Sequence, residues 1–154
     1  MNKQPEYTWS ERYGTATCTL FYKNYEFTGI ANCHPDDKDM MSKLTGQTIA
    51  EYRATLKYLR FIRDCELQPQ LKSLKQLYYS MNHSKHFNPK SYEAKMLYRQ
   101  INHLTEDLKE NKYLIDLTKS QLEFILVYFN RISSNNKIIS ANIKRLIRSK
   151  INEL

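Results

Sequence analysis

From Leu97 to Ile132 apolar side chains recur at alternating steps of four and three: Leu97, Ile101, Leu104, Leu108, Ile115, Leu122, Ile125, Phe129 and Ile132. Only Asn111 and Thr118 interrupt the series. A mean step of about 3.5 residues keeps one stripe of a helix on a partner, so the pattern predicts a long packed helix with a coiled-coil-like seam. Two shorter stripes precede it: Ile49, Tyr52, Leu56 and Leu59, then Leu67, Leu71, Leu74, Tyr78 and Met81. Pro69 stands between them, and its missing N–H should kink or restart the helix. Residues 82–87 read as a helix–helix connection, and Asn88-Pro89 as the start of the long helix, a side-chain cap followed by a residue that tolerates a missing donor. Two capping-box patterns, Thr118 to Gln121 and Ser120 to Glu123, leave room for a break at 116–119. A final amphipathic stretch carries Ile139, Ile143, Leu146, Ile147 and Ile151 on one face.

Near the start the period changes to two. Ala16, Cys18, Leu20 and Tyr22 alternate with Thr15, Thr17, Thr19 and Phe21, and Tyr25, Phe27, Gly29, Ala31 and Cys33 with Glu26, Thr28, Ile30 and Asn32. A turn at Lys23-Asn24 sets Tyr22 opposite Tyr25, Leu20 opposite Phe27 and Ala16 opposite Ala31, with both apolar sets on one side. The expected fold is therefore mainly α in a single domain over 1–154. A β-hairpin (12–34) packs on a long antiparallel helical hairpin (40–132), and a C-terminal helix (137–152) follows. A hairpin alone is marginal in water, so its apolar face needs the helices.

Charge adds a partner class to this outline. Twenty-four Lys and Arg face 16 Asp and Glu, a net charge of +8, which favours a polyanionic partner such as nucleic acid or a nucleoprotein. Candidate contacts fall in three groups. Arg53, Lys57, Arg60 and Arg63 recur on one side of the first helix. Lys85, Lys90, Lys95 and Arg99 mix with Phe87, Tyr92 and Tyr98, a combination that suits phosphates and stacked bases, with Lys85, Lys90, Tyr92 and Lys95 the chosen contacts. Lys144, Arg145, Arg148 and Lys150 load the last helix.

Other chemistry finds less support. With three glycines the chain has no phosphate-cradling glycine loop, and no nucleophile-elbow, zinc-protease or paired-carboxylate pattern occurs. Cys33-His34 followed by Asp36, Asp37 and Asp39 reads as a strand end and helix-start acids rather than as a metal or thiol site. His83 and His86 lack a second pair at ligand spacing. No catalytic residue, metal, cofactor or small-molecule substrate is expected, and the protein reads as a non-enzymatic binder. Three cysteines make no disulfide framework. Residues 1–10 are polar rather than a signal-peptide core, and no stretch approaches a membrane span. A cytoplasmic protein without membrane contact is expected, either monomeric or a homodimer paired along the long seam. In the latter case, a coiled-coil adaptor, the charge would serve solubility alone.

The run Gly29-Ile-Ala31-Asn-Cys33-His34-Pro35-Asp36-Asp37, followed by Gly46, Ile49-Ala50 and Arg53-Ala54, resembles short proteins encoded by phages and prophages of Gram-positive bacteria. The likeness covers residues 14–60, about a third of the chain. It implies a bacterial host cell and an accessory role, including inhibition of a host CRISPR nuclease or another defence system. It implies no active-site residue.

Overall fold

Period-two alternation does form strands, and the described residues hold three rather than two. The computed structural model describes residues 3–32 and 43–134. Its elements run β1 (Lys3–Ser10), β2 (Thr15–Tyr22), β3 (Tyr25–Asn32), α1 (Lys43–Phe61), a π-helical turn (Ile62–Leu67), α2 (Gln68–Asn82) and α3 (Tyr92–Ser134). An antiparallel sheet of order β1-β2-β3 is thus followed by helices, and the described chain is mostly helical. No described helix is long and apolar enough to cross a membrane. The expected C-terminal helix, Cys33 and His34, and the side chains of Phe129 and Ile132 lie outside the described residues.

Strands β2 and β3 take the register that pattern and turn require: Tyr22 pairs with Tyr25, Leu20 with Phe27, Cys18 with Gly29 and Ala16 with Ala31. Lys23 adopts a positive φ of 52° in the two-residue turn. The expected hairpin is incomplete, because β1 adds a third strand, pairing Tyr7 with Cys18 and Trp9 with Ala16. The β1–β2 connection turns at Gly14, φ 60°, a conformation that costs glycine little.

Two compact units divide the chain. One holds the sheet, α1 as far as Tyr58 and α3 from Asp116; the other runs from Leu59 to Ile115. In the first, Ala16, Cys18, Leu20 and Ala31 are buried on one face of the sheet, and Ile49, Ala50, Ala54 and Leu56 on α1. Burial pushes the Cys18 thiol up from its usual range. Tyr58 sets its ring edge-on to Tyr22 and Phe27, at 5.4 and 5.7 Å between centroids. On the opposite face hydroxyls pair across strands, Thr8 with Thr17 and Thr19 with Thr28.

In the second unit Pro69 restarts the helix, as expected, through a widened turn. The N–H of Gln68 reaches the carbonyl of Arg63, five residues back, and Pro69 then occupies the first turn of α2. The wider turn relieves the clash that a proline ring makes with the carbonyl four residues earlier. No residue of α2 is fully buried. Helix α3 begins three residues later than Asn88-Pro89 suggests. The Ser91 hydroxyl accepts from the N–H of Ala94 at 3.2 Å as the cap, while Asn88 Oδ1 accepts from Lys90 N–H within the loop at 3.0 Å.

The helix then runs without the break allowed at 116–119. Of its seam, Leu97, Asn111, Ile115, Thr118 and Leu122 are buried, so the two polar interruptions belong to the packed stripe. Asn111 Nδ2 donates to the Leu59 carbonyl at 3.0 Å. Its Oδ1 has no hydrogen bond among the described residues.

At Gly29 the sheet comes directly against the backbone of α1. A Cβ built there would lie 1.9 Å from the Ala50 carbonyl oxygen and 2.5 Å from the Ala54 nitrogen. Both are backbone atoms, which cannot swing aside. Gly29→Ala should therefore lower unfolding free energy by about 3 kcal/mol, the upper end for overpacking. Urea denaturation checks this, and an unchanged midpoint would show that β3 and α1 do not meet there.

Candidate nucleic-acid interface

The four basic residues on α1 do not form one open stripe. Residues 26, 28, 30 and 32 point their backbone groups away from β2, and two of those carbonyls are met from α1. Arg53, 8% exposed, donates from Nη1 to the Ile30 carbonyl at 2.7 Å. Lys57 donates from Nζ to the Thr28 carbonyl at 2.6 Å. Both cations cover an edge that would otherwise template a further strand. Arg63 forks onto Asp64 at 2.7 and 3.2 Å, and that hydrogen bonding holds the Asp64 carboxyl below its usual range, with Arg60 adding to the attraction. The structure therefore engages these residues locally.

The second group is placed differently. Lys85, Lys90, Tyr92 and Lys95 are all exposed, on or beside the loop that joins α2 to α3. The loop is shaped by short-range bonds: Ser84 N–H to the Met81 carbonyl, Phe87 N–H to the Ser84 carbonyl, and Ser91 N–H to the Asn88 carbonyl, at 3.0 to 3.2 Å. Phe87 anchors it by meeting Tyr78 edge-on at 6.0 Å, and Tyr78 in turn leans on Tyr98 at 6.3 Å. Half-buried rings thus hold the loop while Tyr92 and Tyr98, at 73% and 55% exposure, face solvent. The third group, Lys144, Arg145, Arg148 and Lys150, lies outside the described residues.

Charge is concentrated here more than the overall excess suggests. Residues 1–67 hold nine basic and nine acidic side chains; residues 68–105 hold six basic ones against Glu93 alone. The six include Lys72 and Lys75, which the expected site omits, and Arg99, which belongs to the expected 85–99 stretch. The signal that finds them is the local ratio of cations to anions, read in windows instead of over the whole chain. Lys72 and Lys75 border a groove of about 810 Å3 along α2, together with Leu71, Tyr79, Ser80 and Leu108. A second groove of about 750 Å3 opens between α2 and α3, with Leu74, Met96 and Leu104 among Arg99, Gln100 and His103. A basic surface carrying exposed rings and shallow grooves can neutralise phosphates and offer flat faces to bases.

Comparison with protein-family models, with curated proteins and with solved structures finds no match.

Placement of Arg53 at the sheet edge has a measurable consequence. Arg53→Met removes a charged donor from the Ile30 carbonyl and a buried side chain from the sheet edge, and should cost about 2 kcal/mol of stability. Nucleic-acid affinity of the folded variant should stay at the wild-type level. Urea unfolding and a binding titration together separate this role from a contact role, which would lower affinity and leave stability intact.

Proposed function

We propose that the protein is a non-enzymatic nucleic-acid-binding protein that meets phosphates with the basic helix pair α2–α3. The carrying observation is the six-to-one excess of cations over residues 68–105, on helices whose lysines, with Tyr79, Tyr92 and Tyr98, are exposed. In this reading α2 and the first half of α3 form an antiparallel, coiled-coil-like hairpin. Lys85, Lys90 and Lys95 then stand around its connecting loop. The basic C-terminal stretch, with Lys144, Arg145, Arg148 and Lys150, would add to the same electrostatic attraction. A nucleoprotein presents the same phosphates and is recognised by the same surface. Inhibition of a host nuclease or another defence system would be one use of such binding, and it rests on the resemblance of residues 14–60 alone.

Titration of labelled nucleic acid across a salt series tests the reading. Affinity should fall steeply with salt, because each neutralised phosphate releases counterions. Replacing Lys85, Lys90 and Lys95 together by Gln should reduce the log–log slope by about 2.1 to 2.7, at 0.7 to 0.9 per phosphate, with helicity unchanged. Absence of binding at low salt would overturn the reading.

A second reading, homodimerisation, is favoured by one observation. Leu117, Phe124, Val127 and Tyr128 are 40% to 73% exposed at helical spacing on α3, an apolar stripe away from the buried seam. The expected pairing through the seam itself is less suited to a dimer, since that stripe is packed within the chain. Under this reading sedimentation equilibrium finds a dimer that Phe124→Glu converts to monomer, and a wild-type monomer at high concentration removes it.

A further inference from the structure

We infer that the groove along α2 is a site for unpaired nucleic acid, with phosphates on Lys72 and Lys75 and a base stacked on Tyr79; this rests on the nucleic-acid reading above. Lys72, Lys75 and Tyr79 fall at i, i+3 and i+7, so they line one side of α2, and all three border the groove of about 810 Å3. From Lys72 to Tyr79 the helix rises about 10 Å. That is about three steps of a stacked strand at 3.4 Å each.

Tyr79 is built as a platform. Tyr79 is 65% exposed, and its ring centroid lies 4.0 Å from that of the His83 imidazole at a 35° tilt. The imidazole is held by a hydrogen bond between Nδ1 and the Tyr79 carbonyl at 2.9 Å. Two rings are thus fixed against each other at the end of a line of cations. A duplex keeps its base faces inside its own stack, so it can give this groove phosphates but no ring to stack on. An unpaired strand gives both, and stacking on an aromatic side chain tolerates any base. The site is accordingly expected to prefer single strands without strong sequence preference.

The experiment uses the full chain, a labelled oligothymidylate, and a labelled duplex of equal length, each titrated over a salt series. The single strand should bind more tightly. Tyr79→Ala should weaken it about tenfold, at 1 to 3 kcal/mol per stacked base, with the salt slope unchanged, and Tyr79→Phe should restore it. Lys72→Gln with Lys75→Gln should instead lower the single-strand slope by about 1.4. Equal affinity for both probes, or no effect of Tyr79→Ala, overturns this site while leaving phosphate binding by the helix pair standing. Failure of both probes to bind at low salt overturns the nucleic-acid reading itself.

Discussion

The sheet unit depends on how closely β3 approaches α1. A glycine at position 29 lets the strand come down on the backbone of Ala50 and Ala54, where a methyl group would sit 1.9 Å from a carbonyl oxygen. That distance decides what else can be reached. With β3 so near, the outward carbonyls of Thr28 and Ile30 fall within hydrogen-bond range of Lys57 and Arg53, one turn apart on α1. The edge of the sheet is then closed by the helix that covers its face. Small residues at 50 and 54, both fully buried, belong to the same arrangement, because any larger pair would hold the strand off. Cation placement on α1 is thus a consequence of glycine and alanine placement, and it serves the fold.

The helical unit is held together on other terms. Two helices packed alone can each bury one narrow stripe, and α2 buries no residue completely. Its stability comes from half-covered leucines, from the Phe87–Tyr78–Tyr98 ring chain at the loop, and from the buried amide of Asn111 on the Leu59 carbonyl. A buried polar residue in an apolar seam stabilises less than leucine but penalises any slipped register, since a slip would strand the amide without a partner. Such a pair keeps much of its apolar surface near solvent, which is why grooves of about 750 and 810 Å3 line it.

How far this was legible in the sequence differs by element. The β2–β3 register was readable because alternation and a two-residue turn admit a single pairing. Strand β1 was missed: Pro5 interrupts it, the register shifts between Lys3 and Glu6, and only Tyr7 and Trp9 remain to show the alternation. The seam of α3 was readable at long range, whereas the capping-box patterns at 118–123 misled because cap signals are local and a continuous packed stripe overrides them. Asn88 misled for a related reason, since Ser91, a second competent cap three residues on, starts the helix. Lys57 and Arg53 were on view as a basic stripe, but which carbonyls they reach depends on a strand 23 to 29 residues earlier. Periodicity along one helix carries no information about that.

Where the positive charge lies is the stronger argument about function. Residues 1–67 are balanced at nine cations and nine anions, so the part of the chain that builds the sheet has no excess charge. Six cations against one anion on residues 68–105 repel one another across a helix pair that already packs lightly, and this lowers its stability. Solubility could be had with less strain by scattering the same charges over residues 1–67, where cations and anions are equal in number. An excess concentrated in residues 68–105, next to exposed tyrosines, is what the proposed polyanion-binding surface would carry, with the repulsion relieved once phosphates neutralise it. The same reasoning sets residues 1–67 apart from the proposed contact surface: their cations are matched in number, and Arg53 and Lys57 on α1 are already engaged with the edge of β3.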